Sequence, residues 1–295
     1  MAHLVSLLPA AAPGPTARRG PRPGARPRDT RAQEARMSHV DETLAAYESV
    51  AARYDELNAR MDTARLVDRY VEAVDRYGSG GRRLLDAGCG TGRSSVAFRE
   101  RGFEVTGYDL SPAMVAMARR RPGAEGIGFQ VGRLQQPPPG LTGFDVIACV
   151  DVPMAYLTET DQLRRALAAA RDQLVEDGVL LFDLSTVGYY RRAFGVPAVA
   201  DRGDRYVAWF AVSPRIEADA VVVTQFDLFE RAGDGWERVS MRHVQRHHSD
   251  RTVRQVAEQA GLRVVATRGL VGTSAREPAD EEDHDRILYV ARRAG

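Results

Sequence analysis

Of 295 residues, 44% are hydrophobic and 27% charged, with a formal net charge of +1; this is the balance of a globular chain with one large domain or two small ones, and no run approaches the ~18 consecutive apolar residues of a membrane span. Residues 1–36 hold seven Arg against Asp29 and Glu34, so the remainder is mildly acidic, which argues against a nucleic-acid substrate because phosphate binding needs clustered positive charge on the fold itself. Cys89 and Cys149 are the only cysteines and form no C-x-x-C pair, which supports neither a disulfide framework nor a zinc site and fits a reducing cytoplasm.

In chain order, residues 9–36 are dense in Pro, Gly and Arg and lack apolar periodicity, so residues 1–36 read as a disordered tail whose ordering entropy no burial offsets. The short patch Leu4–Leu8 has no basic segment before it and fails as a signal peptide. An Arg-rich transit peptide is the weaker alternative, and Met37 makes a natural start for the folded chain. Residues 37–80 carry a helical pattern, with Leu44, Tyr47, Val50, Ala51 and Tyr54 and then Leu66, Tyr70, Val71 and Val74 at three- and four-residue spacing.

The most informative stretch is 84–93, Leu-Leu-Asp-Ala-Gly-Cys-Gly-Thr-Gly-Arg. An apolar strand ends in Asp86, and glycines at 88, 90 and 92 let the backbone turn sharply and approach a ligand. A helix over 91–101 then presents free N–H groups at the turn. A second strand, 104–108, runs into Asp109, and Ser111-Pro112 caps the next helix, 112–120. Asp109 stands about 20 residues beyond the turn, where a nucleotide-binding βαβ unit places the carboxylate that accepts ribose hydroxyls.

The glycines alternate, unlike the G-x-G-x-x-G of dinucleotide binders, and an acid precedes them. Leu85–Arg93 together with Asp109 resembles the first motif and the ribose-binding acid of the class I S-adenosylmethionine-dependent methyltransferases, in particular their small-molecule (natural-product and glycine-type) branch. The resemblance covers about residues 40–295 and is strongest over 84–120. It implies a Rossmann-like α/β fold, with a mostly parallel seven-stranded sheet, helices on both faces and an antiparallel β insertion after the fifth strand. It implies S-adenosyl-L-methionine as cofactor, held by Tyr54, Asp86, Gly88, Cys89, Gly90, Gly92, Asp109, Leu110, Met114, Leu134 and Cys149. Tyr47 and Tyr54 match the family's cap helix, although a tyrosine stripe equally reads as core.

Beyond the first two strands the βαβ rhythm continues through 127–131, 144–150, helix 160–175 and 178–184, which gives a SAM-binding core over 81–204. Arg133 stands where the family has an acid for the adenine amine, so adenine contact falls to Leu134 or Gln135. Cys149–Leu157 resembles the loop that touches donor and acceptor, with Ala155 in place of the family's Asn. The insertion 205–246 shows three strands, 206–212, 220–229 and 236–246, the last two separated by Gly233-Asp234-Gly235. It is expected to bind substrate, its aromatic face lining an apolar pocket. Residues 247–295 complete the sheet, with a helix from Ser249 to Ala260.

Methyl transfer is an in-line displacement in which alignment dominates, with at most one base. The catalytic candidates are Asp151, Tyr156, His243 and His247; His248 and Arg246 lie on the opposite strand face to the two named histidines. The resemblance implies a small-molecule acceptor, methylated on N or O in bacterial secondary metabolism, with no metal, no nucleic acid and no membrane; it allows a homodimer. A non-methylating member of the fold, either a cyclase or a binding module, and an NAD-type dinucleotide-binding enzyme are the alternatives.

Overall fold

The computed structural model describes residues 44–295 apart from 46, 49, 202 and 214; the tail 1–36 and Met37 lie outside them. Five apolar segments form the parallel strands β1 (Arg83–Ala87), β2 (Glu104–Asp109), β3 (Gly128–Val131), β4 (Phe144–Cys149) and β5 (Leu174–Ser185). Side chains of successive strand residues point to opposite faces. Leu84, Val146, Ala148, Val179 and Leu181 therefore join one core, while Leu85, Ile147, Cys149, Leu180 and Phe182 join the other. The first core is covered by α2 (Thr63–Tyr77), α3 (Arg93–Glu100) and α4 (Pro112–Arg120). The second is covered by α5 (Thr160–Gln173), α6 (Val187–Phe194) and α7 (Asp250–Gln259).

Helix starts fall at capping side chains. The α4 helix begins at Ser111-Pro112 as expected: the serine hydroxyl accepts from the Met114 N–H, and Pro112 occupies the first turn. Likewise Ser249 caps α7 by accepting from Thr252 N–H. A short helix α1 (Tyr54–Leu57) precedes α2, whose cap is Asp62.

The main sheet runs β11-β10-β12-β5-β4-β1-β2-β3. β12 (Arg286–Arg293) lies antiparallel between β5 and β10 (Leu262–Val271), so a late segment returns to the sheet centre. The sheet has eight strands, not the seven expected. The extra one, β11 (Ser274–Arg276), is a three-residue edge strand paired with Gly269–Val271, too short to leave an alternation pattern.

A second, antiparallel sheet follows α6 and has the order β6-β7-β8-β9. Three of its strands were expected, β7 (Arg205–Ala211), β8 (Val221–Ala232) and β9 (Gly235–Arg246); β6 (Ala198–Asp201) adds a fourth at the edge. β8 and β9 join through the two residues Gly233-Asp234, with Gly233 at φ +60°. Trp209, Phe226 and Met241 from this sheet enter the core beside Tyr190 and Phe194. No described helix is long and apolar enough to cross a membrane.

Candidate active site

Ligands of an open α/β sheet bind outside the carboxyl ends of its strands where the order reverses; here that is the crevice between β1, β2 and β4. It holds an open cavity, about 1150 Å³ of space with its solvent mouth included.

The glycine turn forms one wall. Gly88 and Cys89 N–H groups donate to the Tyr108 carbonyl, and the Gly90 N–H donates to Asp109 Oδ2 at 2.8 Å. A Cβ on Gly88 (φ +80°) would lie 2.9 Å from the Pro153 ring, whereas one on Gly90 (φ +53°) would meet nothing within 4 Å. The first glycine therefore admits the neighbouring loop, and the second leaves room beside Asp109. The other Asp109 oxygen accepts from Ser111 N–H at 2.9 Å. Burial raises its pKa, and the N–H groups of Ser111, Gly90 and Leu110 oppose that rise. A carboxylate oxygen has two lone pairs, so each retains capacity for a ligand hydroxyl.

Leu110, Met114, Gly132, Arg133, Leu134 and Gln135 line the next section. Tyr47, Tyr54, Asp151, Pro153, Tyr156 and Leu157 also line the cavity. The Tyr47 hydroxyl donates to Tyr156 Oη at 2.9 Å, and Tyr156 Oη lies 3.1 Å from His243 Nδ1. Burial drives His243 down to about 3, so a neutral imidazole meets the Tyr156 hydroxyl.

Asp151 and Val152 both adopt left-handed backbone, at φ +69° and +61°, a conformation costly for a β-branched residue. Buried contacts hold it there. Val152 N–H donates to Asp183 Oδ1 at 3.1 Å, as does the Tyr70 hydroxyl at 2.7 Å. Arg286, on β12, bonds Asp183 Oδ2 at 2.7 Å and Asp151 Oδ1 at 3.3 Å.

Of the residues picked out in the sequence, Tyr54, Gly88, Cys89, Gly90, Asp109, Leu110, Met114, Leu134, Asp151 and Tyr156 line this cavity. Asp86 does not. It is fully buried beneath the turn, its Oδ2 accepts from Ser94 and Ser95 hydroxyls at 2.7 and 2.6 Å, and burial raises its pKa to about 6. Gly92 is the left-handed cap of α3, packed on Ala118 and Phe129. Cys149 is buried, with its carbonyl bonded to Tyr70. His243 stands behind Tyr156, and His247 is turned away, accepting from Asp219 N–H at 3.1 Å.

Among the described residues none from 205–246 lines the cavity, because the expected pocket aromatics Trp209 and Phe226 are spent on the core. Sequence reasoning missed Arg286, whose contact with Asp151 spans 135 residues, and Arg93, which lines the cavity while donating to the carbonyls of Asn58 and Met61. Neither carries a local signal in a chain with 41 arginines. Among the described residues no group of three His, Cys, Asp or Glu side chains is placed to hold a metal ion.

A family model described as a methyltransferase domain matches residues 84–178, the span that builds this cavity's floor. A Geobacillus protein named as a methyltransferase is 28% identical over 252 residues, covering 84% of this chain and 99% of the relative. A dTDP-4-amino-2,3,4,6-tetradeoxy-D-glucose N,N-dimethyltransferase of Saccharopolyspora spinosa is 30% identical over 180 residues, 58% of this chain and 71% of the relative. Among solved structures, an S-adenosylmethionine-dependent methyltransferase from Clostridium acetobutylicum superposes with a TM-score of 0.70 at 21% identity, covering 84% of this chain and 99% of that one. With its strand-end acids, alternating glycines and cavity in the crevice they frame, the chain belongs to the class I S-adenosylmethionine-dependent methyltransferases.

Proposed function

We propose that this methyltransferase modifies an N or O atom of a small molecule in bacterial secondary metabolism, in the cytoplasm. The observation that carries the proposal is that one cavity is lined both by Asp109 with the glycine turn and by Asp151 with Tyr156. The printed name of the Saccharopolyspora relative, an amino-sugar dimethyltransferase, supports a small acceptor.

S-adenosylmethionine supplies a methyl group on a sulfonium sulfur. The open face at Gly90 and the unused lone pairs of Asp109 fit its ribose hydroxyls. Leu110, Met114 and Leu134 supply apolar walls for the base, with Arg133 in place of an acid, so the adenine amine is left to backbone carbonyls. Tyr54 closes the methionine end, and Asp151 and Tyr156 orient the acceptor for in-line attack. His243 stands against the Tyr156 hydroxyl and fixes its position. Isothermal calorimetry with S-adenosylmethionine, followed by labelled methyl transfer into a panel of amino sugars, amino acids and phenols read by mass, tests the proposal. Cofactor binding without transfer to any small molecule, but with transfer to a macromolecule, would overturn it.

A further inference from the structure

We infer, resting on donor binding in this cavity and not on the nature of the acceptor, that Arg133 sets which purine the donor pocket takes: the pocket accepts a 6-oxopurine nucleoside as readily as an adenosine.

Backbone geometry puts Arg133 beside the base. In the sheet order β3 flanks β2 on the side away from β1 and β4. The loop that leaves β3 is tied to the ribose-binding acid's own backbone, because Gly132 N–H donates to the Asp109 carbonyl at 2.9 Å. A Cβ on Gly132 would lie 2.4 Å from the Pro138 ring, so the loop folds tightly on itself. Arg133 follows directly, and Gln136 N–H donates to its carbonyl at 3.1 Å. Gly132, Arg133, Leu134 and Gln135 line the cavity together with Leu110 and Met114. A ribose held by Asp109, with its sulfur-bearing arm toward the loops after β1 and β4, directs its base to these residues.

Hydrogen-bond polarity then decides what that base can be. A guanidinium has five N–H donors and no acceptor, and among the described residues no hydrogen bond or ion pair engages that of Arg133. Arginine pairs bidentately with the N7 and O6 acceptors of a 6-oxopurine, whereas the 6-amine of adenine turns a second donor toward it. No acid offsets this preference. Residues 132–143 contain neither Asp nor Glu; of the lining carboxylates, Asp109 is at the ribose and Asp151 follows β4, which β1 and β2 separate from β3. Gln135 reads either base, since its amide turns over to offer a carbonyl to an amine or an NH2 to an oxo group.

Exposure sets the size of the effect. A site built around a buried hydrogen bond rejects an analogue that lacks it by several orders of magnitude, because its own polar group is left unpaired. Here Arg133 is exposed and Gly132, Leu134 and Gln135 are half-buried, so a 6-substituent that finds no protein partner keeps water. Discrimination at this loop is therefore a matter of about tenfold, and its direction follows the charge at position 133.

The test is isothermal calorimetry on the full chain with two probes that differ only at the purine 6-position, S-adenosylhomocysteine and S-inosylhomocysteine. The wild type should bind the inosyl probe within threefold of the adenosyl probe, or more tightly. In Arg133→Asp the ratio should move at least tenfold toward the adenosyl probe, because the new carboxylate accepts from the amine and repels O6. In Arg133→Ala it should move the same way by less, with adenosyl affinity, which reports folding, within twofold of wild type. A wild-type preference for the adenosyl probe of more than threefold overturns the inference and leaves methyl transfer standing. A ratio unchanged in Arg133→Asp overturns it too, even where both affinities fall together. Failure of both probes to bind the wild type overturns the methyl-transfer reading itself.

Discussion

Asp109 and Asp86 are buried carboxylates at neighbouring strand ends, and their partners give them different work. Asp109 is held by backbone N–H groups and lines the cavity, so Asp109→Ala should remove two charge-assisted hydrogen bonds to the donor ribose. At about 1.5 kcal/mol each, that is roughly a hundredfold loss of S-adenosylmethionine affinity, measurable by calorimetry; unchanged affinity would refute the assignment. Asp86 is sealed under the turn by two serine hydroxyls, and Asp86→Asn should change melting temperature more than affinity. Gly88→Ala forces a side chain to φ +80° with its Cβ 2.9 Å from Pro153. Strain of about 1–3 kcal/mol is expected, and because Pro153 opens the turn that carries Tyr156, turnover should fall further than donor affinity. The turn and Asp109 were legible because their chemistry is local: small residues and an acid at fixed spacing. The burial of Asp86 was not, since serines eight and nine residues on decide it.

At the scale of elements, the carboxyl end of β9 and the turn Pro153–Tyr156 behave as one piece. His243 meets Tyr156, Arg246 donates to the Thr158 carbonyl, and His248 Nε2 lies 3.0 Å from the Leu157 carbonyl. His248→Ala would leave that buried carbonyl unpaired, at a cost of about 1–3 kcal/mol. The acceptor Michaelis constant should rise several-fold with donor affinity held within twofold; steady-state kinetics beside calorimetry separates the two, and equal losses in both would count against the coupling. Elements with caps were readable to the residue, as Ser111-Pro112 and Ser249 show. Those read poorly had mixed or charged patterns. β5 starts at Leu174, four residues before the expected 178, because exposed Glu176 and Asp177 mask its beginning. Both faces of the β9 end are used because the strand stops at Arg246, so the strict alternation that separated His248 from His247 no longer holds beyond it.

Across the whole molecule, three buried histidines tie stability to pH. Burial lowers His243 to about 3 and His247 and His248 to about 4, against an ordinary value near 6.5. Below pH 6.5 the unfolded chain takes up protons that the fold refuses, so the stability these groups contribute is complete above that pH and is lost on acidification. Asp86, raised to about 6, works oppositely and offsets one of the three. Each histidine costs up to about 1.4 kcal/mol per pH unit. The melting temperature should therefore drop between pH 7 and 5, less steeply in His247→Gln; a flat calorimetric profile would refute this. The parallel sheet and the antiparallel insertion were legible as a rhythm of elements, whereas Arg286 was not, because only the return of β12 to the sheet centre brings it to Asp151. That return has a consequence in time. During synthesis Asp151 emerges 135 residues ahead of its guanidinium partner, roughly ten seconds or more at ribosomal speeds. A nascent chain can form the glycine turn and Asp109 in that interval, while Asp151 and Asp183 still wait for their guanidinium, so the loop over Pro153–Tyr156 is the later part of the cavity to be anchored.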